Sequence, residues 1–213
     1  MPALSGSMSY ARFFVQEALP EDFRERYLSA LALRTMRPLE AEEDVDERSG
    51  WCVLGDPYAL ELTHDQVFYN NFINLGFRTD RWSIPAQAIK TKLQEVEAAY
   101  LAQKGRERLA KAEREELKQV VVRKLRKQYP PTVRAIDLSW SLEEGIVRFF
   151  SHSARSTAAM ADLFAQTFGM ELTIEAPYTL AKRLGLSDTE ELAWQSLEPT
   201  ILAAGESWAM GEN

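Results

Sequence analysis

The chain has 213 residues, 46% of them apolar, with one cysteine and a formal net charge of −7. That length suits one large domain or two small ones sharing a core, and Cys52 alone excludes an internal disulfide or a cysteine-cluster zinc site. No apolar run reaches the roughly eighteen residues of a membrane span, and Met1 to Ser9 lacks the basic and apolar regions of a secretory signal, so a cytoplasmic protein without a membrane partner is expected.

Taken in chain order, Tyr10 to Val15 reads as an opening strand from its aromatic and β-branched content. Pro20, Glu21 and Asp22 then open a helix through about Leu33, with Phe23, Tyr27, Ala30 and Leu31 as its apolar stripe. Arg37-Pro38 ends any helix, and Glu40 to Glu47 forms an acidic loop expected to be solvated and mobile. Trp51 to Leu54 is a second strand, stopped by Gly55-Asp56-Pro57. Gln66 to Arg78 is a third extended stretch, in which Asn70, Asn71 and Asn74 favour a turn or bulge.

The middle of the chain is helical. After Ile84-Pro85 a helix is predicted from Ala86 to Ala102, with Ile89, Leu93, Val96 and Tyr100 on one face. Lys104-Gly105 breaks it. A second helix runs to Gln128, with Leu109, Ala112, Leu117, Val120, Val121 and Leu125 on one face, and Tyr129-Pro130-Pro131 stops it. Val133 to Trp140 and Ile146 to Phe150 then form a hairpin about Gly145. Ser153 caps a helix from Ala154 to Phe168 that Gly169 ends. Glu171 to Glu175 is a last strand, and a short helix from Tyr178 to Leu184 leads into an acidic tail, 185–213, with Trp194 and Trp208. Strands on both sides of a basic helical pair, 86–128, with helices packed on the sheets, define an α+β class and a main domain over 1–184.

The net charge argues against a polyanionic partner, but it conceals a segregation. Between Ala88 and Arg134 there are 13 Lys or Arg against 6 Glu, a surplus of seven, so the remainder carries −14. Dense cations on a stiff helix are what phosphate binding requires, with an affinity that falls as salt rises. The competing reading is a solvated, salt-bridged helix pair held by contacts such as Glu107–Lys111. The cations spread over the whole polar side of the second helix, and Arg123 to Lys127 also suits the helix C-terminus without any ligand.

Catalytic signals are sparse. His64 and His152 have no partner histidine at helical spacing, and no nucleophile elbow, phosphate-binding loop or dinucleotide fingerprint occurs. Glu116-Leu117-Lys118 has a nuclease-like form but falls within a helix. Asp137 with Glu143 or Glu144 is the remaining candidate for metal-assisted hydrolysis, which needs several converging carboxylates. The expectation is a binding protein that is not an enzyme, with no cofactor and no metal. Trp51, Trp82 and Trp140 are candidates for stacking on bases, although core packing suits Trp51 better.

The order of residues from Ile84-Pro85 through the basic helices to Ile136-Asp137 resembles RdgC, the bacterial recombination-associated family. So do the hairpin with Gly145, the strand-to-helix junction Ser153-Ala154-Arg155, where the family has Ser-Ala-Lys, and Gly50-Trp51 before the second strand. The match covers roughly residues 10–180; its weight lies in the succession of elements, since no single motif is diagnostic. The resemblance implies a nucleoid-associated protein that binds double-stranded DNA with little sequence preference. It also implies a ring-shaped homodimer with a basic hole, and an action on RecA-type recombinase filaments. The longer relatives continue beyond the matching region with residues that help close the ring, whereas this sequence ends in an acidic segment (Asp188, Glu190, Glu191, Glu198). DNA binding by the basic helices therefore follows more directly than ring closure. Under this reading Lys90, Lys104, Arg106, Lys111, Lys118, Arg123, Lys127 and Arg155 are the candidate phosphate contacts. The alternatives are a module whose basic helices dock an acidic protein partner and a metal-dependent nuclease.

Overall fold

Alternating apolar residues in the strands build a single antiparallel sheet, seen in a computed structural model that describes residues 8–197. Among the described residues the elements are β1 (Ala11–Val15), α1 (Phe23–Leu33), β2 (Glu47–Cys52), α2 (His64–Val67), β3 (Phe68–Tyr69), β4 (Phe72–Arg81), α3 (Ala86–Lys104), α4 (Lys111–Arg126), β5 (Thr132–Ser141), β6 (Ile146–Phe149), α5 (Ala154–Phe168), β7 (Leu172–Ile174), α6 (Pro177–Arg183) and α7 (Asp188–Gln195). The strand order is β2-β4-β5-β6-β1-β7, and the short β3 pairs with the start of β4. The α+β class is as expected. The sheet is continuous, however, and is not split between the two ends of the helical pair: β4 and β5, which flank that pair in sequence, hydrogen-bond to each other from Phe72–Ser141 to Arg81–Thr132. The two helices are thus an insertion at the end of the central strand pair.

The period-two pattern of β4 and β5 turns Ile73, Leu75, Phe77, Ile136, Leu138 and Trp140 to one face. Helices α1 and α5 cover that face with Tyr27, Leu31, Met160, Phe164 and Phe168, all buried. Aromatic edges interlock there, with Trp140 and Phe164 ring centroids 5.2 Å apart and Tyr27 and Phe168 4.9 Å apart. Trp51 and Trp140 are core residues, so base stacking by either is excluded. The Trp51 indole N–H donates to Thr167 Oγ1 at 2.8 Å, which satisfies its one polar atom.

β2 begins earlier than its apolar run because Glu47 to Ser49 pair with Arg81 to Thr79 of β4, and near its end the chain after α1 crosses it closely. The Met36 amide donates to the Trp51 carbonyl, and the Trp51 amide to the Arg34 carbonyl. A Cβ on Gly50 would lie 2.5 Å from the Met36 Cα, so only glycine admits that crossing. On the opposite face of the sheet Arg78 donates to both carboxylate oxygens of Asp80 at 2.6 Å and to the Pro57 carbonyl at 2.8 Å. That buried fork holds the loop after β2 against the sheet. Cys52 lies beside it, and burial pushes its thiol up to about 12.

The expected turn inside the third extended stretch falls at Asn70, the one described non-glycine residue with positive φ, between β3 and β4. The chain divides into two compact units at Ile174–Glu175. In the second, the expected acidic tail contains α7, which Ser187 caps by accepting from the Glu190 amide while acids fill the first turn. Trp208 and Glu198 lie outside the described residues.

Candidate nucleic-acid interface

Helices α3 and α4 pack antiparallel through a small apolar seam of their own. Leu93, Val121 and Leu125 form it with Ile84, Ile89, Val96, Leu117 and Tyr129, and it is separate from the sheet core. Val120, expected in this seam, is exposed instead. Gly105 in the left-handed region (φ 59°) ends α3 and lets the chain reverse. Across the seam Arg114 pairs with Glu97 at 2.7 Å. Glu113 receives the Ala110 amide and the Arg106 guanidinium, which hold its carboxyl below the ordinary range. The expected Glu107–Lys111 pair does not form among the described residues, since α4 starts only at Lys111.

Seven of the eight candidate cations lie on this hairpin, and all seven are exposed: Lys90, Lys104, Arg106, Lys111, Lys118, Arg123 and Lys127. Their neighbours divide them. Among the described residues Lys90, Lys111 and Arg123 have no ion pair, and the Lys104 ammonium lies 5.9 Å from the Tyr100 ring centroid. Arg106 is held by Glu113 (2.9 Å), Lys118 by Glu115 (3.2 Å) and Lys127 by Glu42 (2.7 Å). Exposed pairs of this kind are weak and exchange with other anions.

The acidic loop keeps Glu40, Glu42, Asp44 and Asp46 exposed, as expected, but it is also tied down. Leu39 is buried, Glu43 pairs with Arg48 at 2.7 Å, and Glu42 reaches Lys127, whose hydrogen bond lowers the Glu42 carboxyl. Arg126 is the anchor. Its guanidinium is buried, donates to the Glu43 carbonyl and to Asp46 (2.5 Å), and lies 5.6 Å from the Trp82 ring centroid. Asp44 and Asp46 also line a shallow depression with Lys118, Arg123 and Arg126. The acidic run is thus the counter-charge of the C-terminal part of α4, which no local pattern in the sequence announces.

The eighth candidate, Arg155, sits away from the hairpin helices, in the first turn of α5. It helps line a groove of about 560 Å³ at the hairpin's foot, where the core face of β2, β4 and β5 runs on beyond the helix layer. Arg81 and Arg134 line the same groove, with Trp82 and Ser156. Glu47 pairs with Arg155 at 2.6 Å and more loosely with Arg81 at 3.6 Å. The sequence reading missed Arg81 and left Arg134 out of its candidates. Both continue the period-two rows of Phe77 and Ile136, which was the available signal, but only the β4–β5 register brings the rows together.

The other chemical candidates stay apart. Asp137 is buried opposite Gly76, on the sheet face that carries Arg78. Glu144 is tied to Arg148 at 2.7 Å in the exposed turn, and Glu116 stands exposed on α4. Nε2 of His152 and the Ser9 hydroxyl are 2.6 Å apart. Among the described residues no three His, Cys, Asp or Glu gather as a metal cluster, and no helix is long and apolar enough to cross a membrane. Compared with known proteins, the chain matches no family model and no curated sequence.

Proposed function

We propose that this chain is a DNA-binding protein without strong sequence preference, acting by binding and not by catalysis. The observation that carries the reading is the basic hairpin itself. It stands out from the central strand pair, stiffened by its own seam, and presents Lys90, Lys104, Lys111 and Arg123 without a carboxylate partner among the described residues. Cations so arranged contact phosphates and carry no base readout. The reading extends, on the RdgC resemblance alone, to double-stranded DNA in the nucleoid and to a homodimer that serves homologous recombination and acts on a RecA-type recombinase.

The test is fluorescence anisotropy with a labelled duplex of about 30 base pairs over a salt series, where log affinity should fall with log salt with a slope of several phosphates. Duplexes of unrelated sequence should bind alike. No binding at low salt would sink the proposal. The second reading, docking of an acidic protein segment, has one observation in its favour: α4 already accepts the chain's own residues Glu42 and Asp46. Pull-down of an acidic partner by a chain that ignores DNA would select it.

A further inference from the structure

The groove at the foot of the hairpin holds more positive charge than the protein's own contacts use. Three guanidiniums, those of Arg81, Arg134 and Arg155, line it against the single carboxylate of Glu47. Glu47 engages Arg155 and Arg81, and Arg134 has no ion pair among the described residues. Arg155 is also misplaced for helix stability, because a cation in the first turn of α5 opposes the helix dipole. That same turn carries the Arg155 amide, which has no carbonyl one turn behind it. Two of the arginines stand on paired strands, which fixes their backbones relative to each other. Trp82, which also lines the groove, has a buried indole N–H without an acceptor.

A second carboxylate would suit this lining less well than a phosphate. Its two oxygens lie in one plane and match one guanidinium fork, whereas phosphate oxygens spread in three dimensions and can be shared among several forks. We propose that the groove is a seat for a backbone phosphate of the bound nucleic acid, with Glu47 as the carboxylate that the phosphate displaces. The assignment rests on the DNA reading for the source of the phosphate. It adds a contact point on the sheet, beyond the helices.

Two measurements on the full chain decide it. The first is an NMR titration with inorganic phosphate against chloride at matched ionic strength. Shifts at the Arg155 and Ser156 amides, lost in Arg81→Gln/Arg134→Gln and enlarged in Glu47→Gln, support the seat; no shift at these amides overturns it, whatever DNA does. The second is duplex affinity of the same double variant, whose melting temperature reports that the fold is kept. A loss of roughly tenfold at low salt, with the salt slope smaller by about one, supports a nucleic-acid phosphate in the groove. Wild-type affinity and slope in that variant overturn the nucleic-acid assignment even if free phosphate binds. A wild-type chain that ignores DNA but shows the phosphate shifts would sink the proposed function and the backbone source together, leaving a site for free phosphate.

Discussion

In the sheet, the strands and the two covering helices bury Trp51, Trp140, Phe77, Phe149 and Phe164 almost completely, and little charge enters apart from the Arg78–Asp80 fork and Asp137. In the inserted hairpin only Leu93, Val121 and Leu125 form a buried apolar cluster, and the surface is dominated by Lys, Arg, Glu and Gln. The sheet is therefore the source of global stability, and the hairpin is a local unit that opens more readily. Under the proposed function the difference has a reason: a surface that binds phosphates must stay hydrated and charged, which limits how much apolar area its helices can bury.

The largest expected effect is in the sheet. Phe164→Ala should cost about 3–5 kcal/mol and lower the urea midpoint for the whole chain, because it empties a site enclosed by Trp140 and Phe168. Leu93→Ala should cost about 2 kcal/mol, at the lower end for such a truncation, and should speed hydrogen exchange in α3 and α4 while leaving β4 and β5 protected. Equal acceleration in both regions would erase the distinction between them.

Charge changes act in the other direction, on binding more than on folding. Lys111→Glu with Arg123→Glu should weaken duplex binding at low salt by at least about tenfold and reduce the salt slope, with little change in melting temperature. A smaller gain is expected from Glu42→Gln, Asp44→Asn and Asp46→Asn together: freeing the end of α4 should strengthen DNA binding several-fold, and a loss would show that the acidic loop holds the interface in shape.

The smallest effect is with pH. Glu42 is held below the ordinary carboxylate range by Lys127. Its contribution to stability is present above the unfolded pKa and fades as pH falls through the lowered folded one. Over that same acidic window Lys127 is released while DNA phosphates remain charged, so duplex affinity should rise modestly, and Glu42→Gln should flatten the rise.

Periodicity, caps and breakers were enough to read most elements. Phe23 to Leu33, Ala86 to the Gly105 stop, Ser153 to Gly169 and the hairpin about Gly145 all stand where local signals put them. The short helix α2 and the helix α7 were not read. In both, the capping residue three positions before a Gln or Glu, Thr63 before Gln66 and Ser187 before Glu190, was the overlooked sign.

By itself the sequence determined the α+β class, the helical pair and the concentration of cations on it, because these follow from residue spacing and composition over short stretches. Tertiary structure alone decided that β4 and β5 are partners, that Glu42 to Glu47 folds back as counter-charge, and that Arg81 and Arg134 meet Arg155 at one groove. The physical reason is separation along the chain. Strand register and ion pairs between distant segments depend on how the core closes, and no local pattern encodes which distant charges will then face each other.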